Sequence, residues 1–123
     1  MRHRTAILAA TILIPLVAGC GDGYQEALEL YNMERQELER IDGSIRGAEE
    51  DFEKFTKENE GLRQQARAAG LDKTAREVSD SYVEMVGPHA ELMADLEEKW
   101  NQQLERVKTA KEALREAEER RKK

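Results

Sequence analysis

From Tyr24 onward, apolar side chains recur at steps of three and four along an otherwise charged chain. The first run passes through Tyr24, Leu28, Tyr31, Leu38, Ile41, Ile45, Ala48, Phe52, Phe55, Leu62, Ala66 and Ala69, with Arg35 and Asn59 filling its two gaps. The second passes through Leu71, Ala75, Val78, Tyr82, Met85, His89, Leu92, Leu96, Trp100, Leu104, Val107, Ala110, Leu114 and Ala117. This spacing puts each run on one side of a helix, and the Glu, Ala, Arg, Lys, Leu and Gln between stripe positions are good helix formers. Consecutive threes at Arg35, Leu38 and Ile41 depart from the heptad and predict local overwinding of a supercoil. Between the runs stands Ala69-Gly70-Leu71-Asp72. Gly70 suits the left-handed position that ends a helix, and Asp72 or Thr74 suits the N-cap of the next, with Glu77 at capping-box spacing from Thr74.

Two stripes of nearly equal length joined by a short glycine turn predict an all-α fold, an antiparallel helical hairpin or coiled coil. Its arms run over about 24–69 and 72–122, each on the order of 70 Å. One long rod and a bundle of three or four short helices are the competing architectures. Charge favours the hairpin: residues 22–61 carry a net −8 and residues 105–123 a net +3, so folding about Gly70 lays the basic end along the acidic start. Counting outward from the turn sets Ile45 opposite Leu96, Ile41 near Trp100, Phe52 near His89, and Tyr24 and Leu28 against Ala110 to Ala117. Gly43 and Gly47 flank Ile45 and would leave room for the Trp100 indole, or else break the first arm near Gly43-Ser44. At Gly87-Pro88 the missing backbone donor and the ring clash predict a kink or interruption, splitting the second arm into 72–86 and 88–122.

The first twenty residues follow a different pattern. Arg2, His3 and Arg4 precede an apolar run from Thr5 to Val17, too short for a spanning helix of ~20 residues and interrupted by Pro15. The run ends Leu16-Val17-Ala18-Gly19-Cys20, which holds the chain's one cysteine. This segment resembles the signal peptide and lipobox of bacterial lipoproteins. The resemblance implies that residues 1–19 are removed, that Cys20 carries a covalent diacylglycerol as the new first residue, and that residues 20–23 form a short linker. Two or three acyl chains on one cysteine anchor stably where a single chain binds marginally. A plain signal-peptidase site would instead leave Cys20 as a lone exported thiol. On the lipobox reading the chain resides in the cell envelope, attached to a membrane outside the cytoplasm. In a Gram-negative cell that is the outer membrane facing the periplasm, since Gly21 stands where many inner-membrane lipoproteins carry aspartate.

Removing residues 1–19 leaves 104 residues with a net charge of −8, room for one domain at most. Charged residues make up 37% of the chain and aromatics 5%, too little apolar material for a large globular core. The exported part contains one histidine and scattered Ser and Thr hydroxyls, from which no Ser/His/Asp or Cys/His set assembles. His89, on the stripe beside Pro88, reads as an interface histidine. Glu49-Glu50-Asp51 reads as solvated helix face, with Glu50 to Lys54 and Glu53 to Lys57 at pairing distance in sequence, and lacks the glycine and alternating acids of a calcium loop. No glycine-rich phosphate loop occurs. The expectation is therefore a protein without catalytic residues, metal or cofactor beyond the lipid on Cys20, and without nucleic acid as a partner.

Arg120-Arg121-Lys122-Lys123 is the remaining candidate. These cations complement the dipole at a helix C-terminus. In a hairpin they return to the level of Cys20 and contact lipid phosphates, at ~1 kcal/mol each near an anionic surface. In a rod they lie ~150 Å away and reach the cell wall. The second picture resembles the murein lipoprotein family, in Cys20, the heptad-like stripe and the terminal Lys123. That resemblance implies a covalent tether to peptidoglycan. The chain departs from it in length, in the turn at Gly70 and in ending Lys122-Lys123. The favoured expectation is a membrane-anchored lipoprotein acting as a non-catalytic scaffold, spacer or adaptor. Its arms would bind a partner protein or a second copy in a four-helix bundle. A binding protein for a small ligand would instead need an enclosed cavity.

Overall fold

The computed structural model describes residues 23–123, and the signal segment, lipobox and Cys20 lie outside the described residues. Two helices account for nearly all of this span: α1, Tyr24–Ala68, and α2, Asp72–Lys122. They pack as an antiparallel hairpin, the all-α fold expected from the paired stripes. The chain divides into two compact units, each taking a piece of both helices. One comprises residues 37–104 with the turn, and the described part of the other comprises residues 23–36 and 105–123.

The turn follows from Gly70. Its φ of +75° is left-handed, which a residue without Cβ adopts freely. With the backbone so placed, the Leu71 N–H donates to the Ala66 carbonyl at 2.8 Å and the Gly70 N–H to the Arg67 carbonyl at 3.0 Å. These are the paired bonds of a Schellman motif, and they satisfy two of the carbonyls a helix end leaves open. The first bond of α2 runs from the Ala75 N–H to the Leu71 carbonyl, 3.0 Å, so Leu71 holds the N-cap position. Asp72 and Thr74 are thus inside the first turn and neither is the cap. Asp72 still favours the helix start as a negative charge at the positive end of the dipole. Gly70→Ala forces a Cβ into the left-handed region. It is expected to lower stability by ~1–2 kcal/mol with helix content retained, as thermal unfolding followed by circular dichroism would show.

Neither suspected break is present. α1 runs through Gly43-Ser44, where the Ser44 hydroxyl donates back to the Arg40 carbonyl at 3.2 Å. α2 is likewise one helix from Asp72 to Lys122 with Pro88 inside it, so the division into 72–86 and 88–122 is corrected. Proline at 88 deprives the Glu84 carbonyl of its usual donor. Glu84, Gly87 and Pro88 are all exposed, however, so water can replace that donor. On the other side of this turn His89 is held against α1 by ring stacking. That contact fixes the helix across the proline.

The seam between the helices is narrow. Its buried apolar residues are Ile41, Ala66, Ala75, Ala110 and Ala117, mostly small side chains that let two backbones approach. Leu62, Leu71, Met85 and Leu92, all placed on the stripes, are about half exposed, and Ala69 is exposed too. Their places along the seam are taken by Arg63 and Met93, both half-buried, one residue on from Leu62 and Leu92. A stripe of threes and fours drifts around the helix, because 3.6 residues per turn do not match a strict seven-residue repeat. Gln103 is buried beside the stripe position Leu104 for the same reason. Gly43 and Gly47 do not receive the indole of Trp100: a Cβ built on either meets no atom within 4 Å.

Candidate functional sites

Within residues 37–104 the chemistry concentrates around Phe52. The Phe52 ring stacks on the His89 imidazole, centroids 4.0 Å apart and planes 9° from parallel, the neighbourhood expected from counting outward from the turn. Phe55 stacks on Tyr82 at 5.9 Å and 7°, and Phe52 lies 5.8 Å from Tyr82 and 6.1 Å from Phe55 in tilted arrangements. Four rings, two from each helix, thus form a continuous cluster. Such pairs contribute ~0.5–1.5 kcal/mol beyond their buried area. Thr56 donates to the Phe52 carbonyl at 2.9 Å, and its Oγ1 lies 3.3 Å from the Tyr82 hydroxyl. His89 is therefore a packing residue, stacked between the helices.

One turn along α1, Asn59 is 8% exposed and donates its Nδ2 to the Val78 carbonyl of α2 at 2.8 Å. In the sequence it is only a polar gap in an apolar stripe. In the fold it joins the two helices at one register, because a side-chain amide facing a backbone carbonyl tolerates no slip by a turn.

Beside the ring cluster a groove of about 600 Å³ opens to solvent. Its α1 wall is Ser44, Gly47, Ala48, Asp51, Phe52 and Phe55, successive steps of three, one, three, one and three along one helix face. Its α2 wall is Met85, Pro88, His89 and Leu92, again at helical spacing. A smaller polar hollow of about 280 Å³ near the turn is lined by Arg67, Asp72, Ala75, Arg76 and Ser79. Among the described residues no three His, Cys, Asp or Glu side chains converge on a metal-binding geometry, and no helix is long and apolar enough to cross a membrane.

The basic tail belongs to the other unit. Arg121 lies over the ring of Tyr24, its guanidinium carbon 4.3 Å from the centroid, a cation–π distance. Arg120 reaches Gly23: its Nη2 stands 3.8 Å from where a Cβ on that glycine would be. Lys122 pairs weakly with Glu119 at 3.8 Å, and Lys123 ends the chain exposed. The expected return of the C-terminus to the start of α1 is therefore present, made by the Arg121 guanidinium on the Tyr24 ring and by the approach of Arg120 to Gly23. Ion pairs within single helices join Arg40 to Glu37, Arg46 to Asp42, Lys57 to Glu53, Lys108 to Glu105 and Arg115 to Glu112. Hydrogen bonding from Arg115 holds the Glu112 carboxyl below the ordinary carboxylate range. Both groups are solvent-exposed, so this surface pair orders a side chain rather than stabilising the fold.

No protein-family model, curated protein or solved structure matches the chain.

Proposed function

We propose that the protein is a membrane-anchored lipoprotein of the cell envelope, held by a lipid on Cys20, whose helical hairpin serves as a non-catalytic adaptor. The observation that carries this reading is the tail packed against Gly23 and Tyr24. Three residues span at most ~10 Å, so Gly23 keeps Arg120 and its neighbours close to Cys20. With Cys20 acylated, Arg120, Arg121, Lys122 and Lys123 sit at the height of the lipid headgroups. There each cation adds ~1 kcal/mol of attraction to anionic lipid. The same return supports membrane contact over a peptidoglycan tether, because Lys123 comes back to the anchor instead of reaching away from it.

The test is metabolic labelling with a radioactive fatty acid, combined with membrane fractionation. The full chain is expected to carry label and sediment with membranes, and Cys20→Ala is expected to lose both. Label that persists in Cys20→Ala overturns the anchor. A fraction of the protein released only by muramidase would favour the wall tether.

A further inference from the structure

We infer that the groove beside Phe52 is a docking site for a basic amphipathic helix of a partner protein, laid lengthwise between α1 and α2. This gives the proposed adaptor its partner class, and it stands apart from the lipid on Cys20.

The shape of the groove suits a helix. Its α1 wall extends from Ser44 to Phe55, about 16 Å at 1.5 Å per residue, or three turns of an incoming helix. Phe52, Phe55, Met85 and Leu92 offer apolar surface at the spacing into which side chains at i, i+3, i+4 and i+7 would fit. Met85 and Leu92 are each 48% exposed, so the hairpin alone leaves them uncovered.

Gly47, which lines the groove, supplies a second reason. It lies in a helix interior without positive φ, where glycine is unfavourable relative to alanine, and a Cβ there would meet nothing within 4 Å. The hairpin itself has no use for its bareness. A third helix approaching the floor formed by Ser44, Gly47 and Ala48 does, since small residues let backbones come close.

Charge chooses the occupant. Residues 77–98 of α2 contain seven Asp and Glu and no Lys or Arg, and residues 44–60 of α1 have a net −3. Asp51 lines the groove itself. Glu58, seven residues beyond Asp51, shares its face on α1, and Glu84 and Glu91, four before and three after Pro88, share the face of Pro88 on α2. Lys54 is the basic residue on this rim, three residues from Asp51. A second copy seated by two-fold symmetry would bring the same acidic rim against itself, whereas a Lys- and Arg-flanked helix finds opposite charge on both sides.

The probe is an 18-residue fluorescent peptide with Leu at i, i+3, i+4 and i+7 positions and Lys elsewhere. Its anisotropy is titrated with full-length protein in phosphatidylcholine nanodiscs, against empty discs. A matched peptide with Glu for Lys is the charge control. The basic peptide is expected to bind, at least tenfold more weakly to Gly47→Leu and to the double variant Glu84→Lys, Glu91→Lys, while Val83→Ser leaves binding unchanged. Gly47→Leu is an informative block because it fills the floor without straining the helix, so its melting temperature is expected to hold or rise. Absence of binding, equal binding by all variants, or equal binding of the acidic peptide overturns the proposal. So does a wild-type dimer in sedimentation that Gly47→Leu dissociates, which would make a second copy the occupant. Repeating the titration on Cys20→Ala separates this site from the anchor: that variant is expected to bind the peptide as the wild type does, whatever the labelling experiment shows for Cys20.

Discussion

Phe52→Ala is expected to destabilise the hairpin by about 2 kcal/mol, a drop on the order of 10 °C in melting temperature. Phe52 is the one ring that touches Phe55, Tyr82 and His89 together. Truncating it removes three ring contacts and leaves space between the helices. Phenylalanine in a closed core costs more, but Phe52 is only half-buried, and water can enter the gap it leaves. The effect should still be large for this molecule, because no large side chain is fully buried anywhere among the described residues. Chemical denaturation followed by circular dichroism measures it, and a loss below about 0.5 kcal/mol would mean that the ring cluster contributes little. Phe52→Leu, which restores most of the volume but not the stacking, is expected to fall between the two.

Asn59→Asp should be at least as severe at neutral pH, about 3 kcal/mol, since it sets a buried carboxylate against the Val78 carbonyl in place of a donor. The effect depends on pH with a definite sign. Burial and the facing carbonyl raise the pKa of this new carboxyl in the folded protein above its unfolded value. The folded state therefore binds the proton more tightly, and stability returns as pH falls through the raised pKa and is lost again as pH rises. Once protonated, the new carboxyl can also donate to the carbonyl as the amide does. Urea unfolding of the variant between pH 4 and 7 tests this, and a penalty independent of pH would show that residue 59 has no polar contact across the seam. Asn59→Ala, which leaves the Val78 carbonyl its own helix partner, is expected to cost only ~1 kcal/mol.

Much of the fold was legible because the turn carries its own chemistry. Gly70 between two periodic runs admits few alternatives, and the left-handed glycine and Schellman bonds follow from it. The stacking of Phe52 on His89 was reachable by counting residues outward from that turn. Details that depend on helix phase were not: Leu62 and Leu92 leave the seam while Arg63 and Met93 enter it, a rotation that a list of apolar residues cannot register. Pro88 does not interrupt α2, because the freed carbonyl meets water and His89 is stacked on Phe52 across the seam. Asn59 read as a gap because an amide's partner here is a backbone carbonyl, which no side-chain pattern displays. The groove was hidden for a related reason: it forms where a glycine, a proline and apolar residues from two helices meet, and its shape exists only after they pair.

The return of the basic tail to the start of α1 brings Arg120 to Gly23 and Arg121 to Tyr24. Spin labels on non-cysteine side chains at Gln25 and Glu118, both exposed, report that distance by double electron–electron resonance in the full chain. Adjacent antiparallel helices with axes ~8–10 Å apart predict a narrow distribution centred at about 20–30 Å, allowing for the label arms. A distance beyond about 100 Å, as an extended rod of the same residues requires, would contradict it.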